Sequence, residues 1–332
     1  MFRCTLSEYL SYILIFNQRE PMKNYLSYLS SAICCGLIFV SPVQLVNATT
    51  YVAIGHASIN ANELVYGQPS TYPTEDYKLS HLIWKAENVK MIIAGTDIQF
   101  SNGLALNIEV KSNINGGDGT MDDYDWVDTS SANWSHWSHH DDTSITDAKS
   151  FNISLDFLSL GSEENKISLF VGNKYETWSW NSRGGSYIYS TDGTTDRAFT
   201  GTFTPGKSVI TYKQDFLMPY LGLKLLAQSD SWSYKLEYQF SNMVNVSTVD
   251  NHVLRDLWVT NNYEIGRMHA YKINVGYRLT NNFNLFIRYD TQVYDEVKGG
   301  STYSGSSTGR CKNCAGADNR VETLSLGASL VY

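Results

Sequence analysis

The chain has 332 residues, with 33 acidic and 25 basic side chains and a net charge of −8. Only 17% of the residues are charged and 13% are aromatic, a composition that excludes an intrinsically disordered chain. The negative balance argues against a nucleic-acid partner, since phosphates require a basic surface. The Ala-, Glu-, Lys- and Leu-rich pattern of helical bundles is missing as well. We therefore expect a β protein of one large domain or two small ones.

The N-terminal region has the pattern of a secretory signal peptide. Lys23 follows Met22, an apolar run covers residues 32–40, and Val46-Asn47-Ala48 has the small residues of a cleavage site. The run is too short for a spanning helix, and an uncleaved anchor is the alternative. We expect an extension upstream of the true start over residues 1–21, a signal peptide over 22–48 and a single mature domain over 49–332.

Alternation of apolar and polar residues predicts β-strands throughout the mature part. It is clearest over residues 232–240, 271–279 and 324–332, and a period of two gives each strand one apolar face. Long strands, long polar loops and aromatic residues near strand ends favour an outer-membrane barrel over a soluble sandwich. We predict an all-β fold, a transmembrane antiparallel up-and-down β-barrel of ten strands with long extracellular loops, in the bacterial outer membrane.

The alternation divides the chain into eleven strand segments, one more than the ten strands of the predicted barrel. Because such barrels have an even number of strands, one boundary among the early short segments must be wrong. The segments are residues 50–65, 77–88, 89–100, 103–112, 148–159, 165–190, 207–228, 230–246, 262–280, 283–298 and 320–332. The predicted long loops are residues 112–147, 190–206, 247–261 and 299–319.

The first of these loops carries Asp123 and Asp125, which are two residues apart. In an extended backbone their side chains point to the same side. Two close carboxyl groups cannot both ionise easily, so the pair can hold a proton and activate a water molecule. A calcium site that also uses Asp118 and Asp122 is an alternative, although the EF-hand spacing is absent. Taken alone, the pattern favours a third interpretation, a solvated acidic loop.

The third long loop carries Asp250 and His252, again two residues apart. A carboxylate beside an imidazole selects its tautomer and supports its charged form, as in many general bases. The spacing is common by chance, so this pair alone is weak evidence. Two such pairs, on long loops at the same end of the predicted barrel, are stronger evidence for a catalytic site.

A group of histidines and acids in the first long loop suggests zinc. The favoured interpretation is loop packing and hydrogen bonding, since no helical His-x-x-x-His pattern is present, and we expect no metal. The group consists of His136, His139, His140, Asp141 and Asp142.

Two cysteines remain in the mature chain, Cys311 and Cys314. In an exported protein this spacing predicts a small disulfide loop, because the compartment is oxidising. A metal pair or a redox motif is the second interpretation, but partner cysteines and a βαβ context are missing.

Several motifs along residues 50–332 resemble those of the omptin family, the outer-membrane proteases of Gram-negative bacteria. They are Met121-x-Asp123-x-Asp125-Trp126, residues 183–189 (RGGSYIY), residues 212–214 (YKQ), residues 218–223 (MPYLGL) and Asp250-x-His252. The resemblance implies a ten-stranded barrel that stands well above the membrane, with a cleft at its outer mouth. It also implies endopeptidase activity on polypeptide substrates.

The catalytic group of this family is an Asp pair on one wall and an Asp–His pair on the other. By resemblance, Asp123 and Asp125 form the first pair and Asp250 and His252 the second. A water molecule held between the walls would attack the peptide carbonyl, and His252 would accept its proton. The resemblance implies no acyl-enzyme, no metal and no cofactor.

The family prefers to cleave next to basic residues because its cleft is acidic. Glu63 matches one acidic pocket residue, but Thr248 and His136 stand where the family has two others. A substrate arginine with one carboxylate partner fewer loses about 1–3 kcal/mol of binding free energy. We therefore expect a relaxed or altered preference for basic residues. Met121 and Ile210 match apolar positions of the family's cleft. For Ile210, ordinary packing inside the barrel is an equally good explanation.

Omptins require lipopolysaccharide, held by basic residues of the outer barrel wall. Two of those positions are Thr177 and Asp215 here, so we expect a different lipid contact or a weaker dependence. The expected partners are polypeptides, host proteins among them, and outer-membrane lipid.

The alternative function is a non-enzymatic surface barrel, an adhesin or invasin, which would not need the four catalytic residues together. A diffusion porin is less favoured, because a barrel this narrow is filled by side chains.

Overall fold

A computed structural model describes residues 44–67, 77–162 and 164–332. They form one antiparallel sheet of fourteen strand segments and a short 3-10 turn, Val253–Arg255. The strands are β1 Leu45–Tyr66, β2 Lys78–Phe100, β3 Ala105–Asn113, β4 Asp118–Asp125, β5 His136–Gly161, β6 Asn165–Arg183, β7 Ser186–Tyr189, β8 Phe199–Thr202, β9 Ser208–Ser229, β10 Trp232–His252, β11 Leu257–Tyr263, β12 Gly266–Arg278, β13 Phe283–Gly305 and β14 Gly309–Val331. Within these ranges no helix is long and apolar enough to cross a membrane.

The sheet closes into a barrel of ten strands, as predicted. β3 and β4 both pair with β2 and β5, so they are two pieces of one barrel strand. In the same way β11 and β12 both pair with β10 and β13. Counting each couple once, the ring runs β1, β2, β3/β4, β5, β6, β9, β10, β11/β12, β13, β14 and back to β1. The short strands β7 and β8 form a hairpin attached to β5.

The strand boundaries differ from the sequence prediction in two ways. Residues 77–88 and 89–100 belong to one strand, β2, which removes the eleventh segment. The predicted loops 112–147, 247–261 and 299–319 consist largely of strand, because β4, β5, β10, β11, β13 and β14 extend through them. These extensions carry polar residues on both faces, so the apolar alternation that marks the other segments is lost there.

One half of the barrel has an apolar outer surface. Val52 and Ile54 of β1 are 50% and 59% exposed, and Glu63 lies nine residues further along the same strand. Nine extended residues span roughly 30 Å, so the apolar band is well separated from the end that carries Glu63. The band continues around the ring through Leu221, Leu223, Leu236, Ile273, Ile287, Leu324 and Leu326, all exposed. Such a band is the surface that lipid covers in transmembrane barrels.

The lumen inside this band is filled by paired charges. Arg288 Nη1 lies 2.6 Å from Glu109 Oε2, and Arg288 Nε lies 3.0 Å from Asp290 Oδ2. Lys224 Nζ lies 2.8 Å from Asp156 Oδ2. All of these side chains are at most 12% exposed. Buried charges of both signs compensate one another, and the filled lumen disfavours a diffusion porin.

The two ends of the described chain meet in the sheet. Ala48 and Tyr332 exchange backbone hydrogen bonds of 3.3 and 3.0 Å, and β1 begins at Leu45, four residues before the predicted mature start. Residues 1–43 lie outside the described ranges, so the predicted extension over 1–21 and nearly all of the predicted signal peptide over 22–48 fall there. The cleavage site after Ala48 stays a prediction.

The cysteines of the predicted disulfide both lie on β14. The Cα atoms of Cys311 and Cys314 are 5.9 Å apart, and their sulfur atoms are paired. This separation is within the range that a disulfide bridges. Disulfide formation in the exported protein stays a prediction.

Candidate active site

The two predicted pairs lie on strands, not in loops. Asp123 and Asp125 belong to β4, and Asp250 and His252 form the end of β10. Successive strand residues alternate between the faces, so residues two apart share the face toward the barrel interior. A strand holds a side chain more firmly than a loop does, because each backbone amide is paired with a neighbouring strand.

The Asp pair is held against β2. Asp123 lies opposite Leu82 and Asp125 opposite Ser80 in the register of β4 and β2. The Ser80 hydroxyl donates a hydrogen bond of 3.2 Å to Asp123 Oδ1. Burial raises the pKa of Asp123 well above its usual range, and the neighbouring Asp125 raises it further. Burial raises the pKa of Asp125 as well, so the pair retains a proton under conditions in which an exposed aspartic acid would lose it.

The Asp–His pair has the geometry of an oriented base. His252 Nε2 lies 2.7 Å from Asp250 Oδ2, and Asp250 is 2% exposed. Since a carboxylate only accepts, Nε2 carries the hydrogen and donates it, which leaves the lone pair on Nδ1. The imidazole can therefore accept a proton at Nδ1 while Asp250 stabilises the cation that forms.

The two pairs face each other across the barrel. β4 and β10 are separated by β5, β6 and β9 on one side of the ring and by five strands on the other. Their charges are nevertheless close enough to interact, because Asp250 raises the pKa of Asp123 after burial and Asp125. An aromatic layer spans the lumen at this level, with ring centroids of Trp84 and Tyr212 5.4 Å apart and stacked. The result is a narrow acidic cleft.

The predicted pocket residues surround this cleft. Glu63 of β1 is 3% exposed, and burial followed by Asp250 and Asp123 raises its pKa well above its usual range. Its Oε2 atom has no hydrogen-bonding partner within the described ranges. Thr248 is 1% exposed and bonds Tyr263 and Asn261, both at 3.0 Å. Met121 and Ile210 are 0% and 3% exposed and belong to the core cluster.

A second hollow adjoins the cleft. It has a volume of about 430 Å³ and lies between the β7–β8 hairpin and the 3-10 turn that follows His252. Tyr187 and Tyr189 form one wall, and Leu254 contributes from the turn. Burial, then Asp123 and Asp125, raise the pKa of Tyr189 to about 12. The hollow therefore opens beside the Asp pair and offers room for a chain that extends past it.

Ionisation of the acidic cluster is expected to destabilise the fold as the pH rises. The folded-state pKa values of Asp123, Asp125 and Glu63 are raised above ordinary values of about 4. Their contribution to stability is then complete below about pH 4 and is lost as the pH rises through the raised values. Asp123→Asn, which cannot ionise, should lose less stability than wild type between pH 5 and pH 8. Denaturant midpoints in detergent measure this, with Asp118→Asn as an exposed control, and identical pH slopes in all three proteins would contradict it.

The histidines of the suggested zinc group are engaged with other partners. His140 is fully buried, with Nδ1 2.5 Å from the carbonyl oxygen of Gly184 and Nε2 3.0 Å from Ser138 Oγ. His139 Nδ1 lies 2.8 Å from Asp122 Oδ1 on the outer face of the barrel. Among the described residues there is no group of three or more metal-binding side chains. Asp122 faces away from Asp123 and Asp125, which also disfavours the calcium interpretation.

Two residues of the cleft escaped the sequence analysis. Ser80 contacts Asp123 only because of the register between β2 and β4, and the sequence carries no signal for that register. Arg255 lies three residues after His252, and its guanidinium contacts the imidazole. The sequence did contain a signal for this contact, because a basic residue three positions after the histidine of an Asp–His pair is close enough to reach the imidazole.

Comparisons with known proteins agree with this architecture. The profile of the Omptin family matches residues 44–332. The plasminogen activator of Yersinia pestis is 30% identical over 84% of this chain and 88% of its own length. The outer membrane protease IcsP of Shigella flexneri is 26% identical over 86% of this chain and 90% of its own. The crystal structure of the outer membrane protease OmpT from Escherichia coli superposes with a TM-score of 0.82 at 23% identity, covering 89% of this chain and 99% of that one.

The fold and the cleft define an outer-membrane β-barrel of the protease class. The apolar band and the filled lumen are features of outer-membrane barrels. The chain belongs to the omptin family of outer-membrane proteases.

Proposed function

We propose that the protein is an endopeptidase of the cell surface that uses a water molecule activated between Asp123 and His252. The observation that carries this is the pairing of His252 Nε2 with Asp250 Oδ2 at 2.7 Å, which leaves the lone pair of the neutral imidazole on Nδ1. The raised pKa values of Asp123 and Asp125 support a shared proton on the opposite wall. Peptide bonds at or near basic residues are the proposed substrates, because four carboxyl groups line the cleft.

The proposed reaction needs only groups of this chain and water. The Asp123 carboxyl group holds the water, and Asp125 tunes its protonation. The water oxygen attacks the carbonyl carbon while its proton passes to His252 Nδ1, and Asp250 stabilises the imidazolium. When the tetrahedral intermediate collapses, the imidazolium returns the proton to the amine nitrogen and the C–N bond breaks. The proposed orientation directs this cleft away from the cell, so the proposed substrates are proteins outside the cell, host proteins among them.

The mature barrel, refolded with lipopolysaccharide and incubated with a peptide library, tests this function. We expect new termini, read by mass spectrometry, that require both halves of the cleft. A non-enzymatic adhesin, the alternative, would leave the library intact although the barrel is folded. No specific observation favours the adhesin.

We also propose that activation by lipopolysaccharide is weak in this protein. Thr177 and Asp215 lie opposite each other in the register of β6 and β9, and Thr177 is buried. Lys213 Nζ lies 2.8 Å from Asp215 Oδ2, and the Tyr175 hydroxyl donates to Asp215 Oδ1 at 3.0 Å. The lysine charge is thus already neutralised, and an anionic headgroup would meet a carboxylate.

Delipidated protein is therefore expected to gain less than about tenfold in kcat/KM when lipopolysaccharide is added, since the wall offers little net positive charge. Asp215→Asn, which frees Lys213, should respond more strongly than wild type. A 100-fold or larger activation of wild type, unchanged in the variant, would contradict the proposal.

A further inference from the structure

Arg255 places a positive charge beside His252, at the edge of the acidic cleft. It is the last residue of the 3-10 turn that follows His252 directly. Its Nη2 atom contacts His252 Nδ1 and lies 3.4 Å from His252 Nε2. A guanidinium group has five donors and no acceptor, and it stays charged in proteins. The contact is therefore a hydrogen bond from Arg255 to the imidazole.

This hydrogen bond covers the nitrogen that the proposed reaction uses. Since Nε2 donates to Asp250 at 2.7 Å, the only lone pair of the neutral ring is on Nδ1, and Arg255 donates to it. A water molecule cannot transfer its proton to Nδ1 while the guanidinium occupies that position. The arginine has to move before His252 can act as a base.

The charge of the same guanidinium also acts on the carboxyl groups of the opposite wall. Burial raises the pKa of Asp123 and of Asp125, and Arg255 opposes this rise in both groups. The carboxyl groups of Asp123, Asp125, Asp250 and Glu63 line the centre of the cleft, and Glu63 is buried without a partner for Oε2 within the described ranges. Arg255 thus acts on carboxyl groups that would also attract a basic side chain of a bound peptide.

Little holds the arginine in this position. All three residues of the turn, Val253–Arg255, are exposed. The next residue, Asp256, has a φ of 49° and ends the turn in the left-handed region. A short exposed turn with few packed contacts can open at little cost.

We propose that Arg255 is a specificity-determining residue, a tethered basic side chain that competes with basic substrate side chains for the carboxylates of the cleft and covers His252 until a peptide displaces it. The proposal rests on the proposed endopeptidase function. A tethered group has an effective concentration in the millimolar range, so a basic peptide at micromolar concentration has to overcome it. Arg255 therefore weakens the preference for basic residues, in addition to the loss of a carboxylate at Thr248.

The test compares two peptides that differ only in charge, one with arginine and one with citrulline beside the scissile bond. In Arg255→Gln we expect kcat/KM to rise about tenfold for the arginine peptide and less than threefold for the citrulline peptide. Arg255→Lys, which keeps the cation, should retain the wild-type ratio. Arg267→Gln is the matched control, because Arg267 is an exposed arginine of β12 paired with Asp295 at 3.9 Å. An equal loss for both peptides in Arg255→Gln would overturn the proposal, since Arg255 would then assist the reaction itself.

A binding measurement separates this proposal from the proposed function. Versions of the two peptides with an N-methylated scissile bond are titrated into wild type and Arg255→Gln by fluorescence anisotropy. We expect the arginine peptide to bind the variant about tenfold more tightly than wild type, with the citrulline peptide unchanged. This result would support the competition even if no protein of the series hydrolysed peptides, and equal affinities for wild type and variant would refute it.

Discussion

Replacement of His252 by alanine is expected to lower kcat/KM for peptide hydrolysis by about 10²–10⁴-fold, the usual contribution of a general base. The reason is the lone pair on Nδ1, which exists because Nε2 donates to Asp250 at 2.7 Å and which becomes available when Arg255 moves away. Without the imidazole, the proposed acceptor for the proton of the attacking water is lost. Initial rates on the peptide with the fastest cleavage measure the effect.

Asp123→Asn is expected to cause a loss of similar size. The amide keeps the shape of the carboxyl group and still accepts a hydrogen bond, but it cannot ionise or share a proton with Asp125, so the water loses the group that would activate it. Asp122→Asn and His139→Ala are the matched controls, because these two residues bond each other on the outer face at 2.8 Å. Both controls should stay within about threefold of wild type. Activity of His252→Ala or Asp123→Asn within tenfold of wild type would exclude the proposed mechanism.

The second large effect is expected at Thr248, in the proposed pocket for basic side chains. Thr248→Asp adds a carboxylate at a position where, by resemblance, the family has an acid, and a charge-assisted hydrogen bond to arginine is worth about 1–3 kcal/mol. We expect kcat/KM for an arginine peptide to rise about 10- to 100-fold, with little change for the matched citrulline peptide. Thr248→Asn, which adds a polar group without charge, should not reproduce the gain. A gain of equal size with asparagine would show that size and not charge limits the pocket.

Glu63→Gln tests the same pocket in the opposite direction. The buried carboxyl group has an unpartnered Oε2 within the described ranges, so it is available to a basic side chain. Its neutral replacement should lower kcat/KM for the arginine peptide about 10- to 100-fold and reduce the difference from citrulline. Equal losses for both peptides would assign Glu63 a structural role.

The sequence was sufficient for the fold class because alternation is a local property of the chain. In the lipid-facing half, every second residue is apolar, as in Val52 and Ile54 of β1, and this identifies strands without knowledge of their partners. Beyond the membrane both faces are polar, so the upper parts of β10, β13 and β14 were predicted as loops. The split of β2 into two segments has the same origin, since its polar stretch around Glu87 and Asn88 interrupts the pattern.

For the cleft, the sequence by itself determined the two residue pairs, since a spacing of two in an extended chain places side chains on one face. The acid at Glu63, the threonine at 248 and the membership of the family also follow from motifs. The resemblance implied that the two pairs lie on opposite walls, but only the tertiary structure decided that Ser80 donates to Asp123 and that the guanidinium of Arg255 covers His252. Barrel closure and strand register join residues far apart in the chain, and no local pattern records which of them meet.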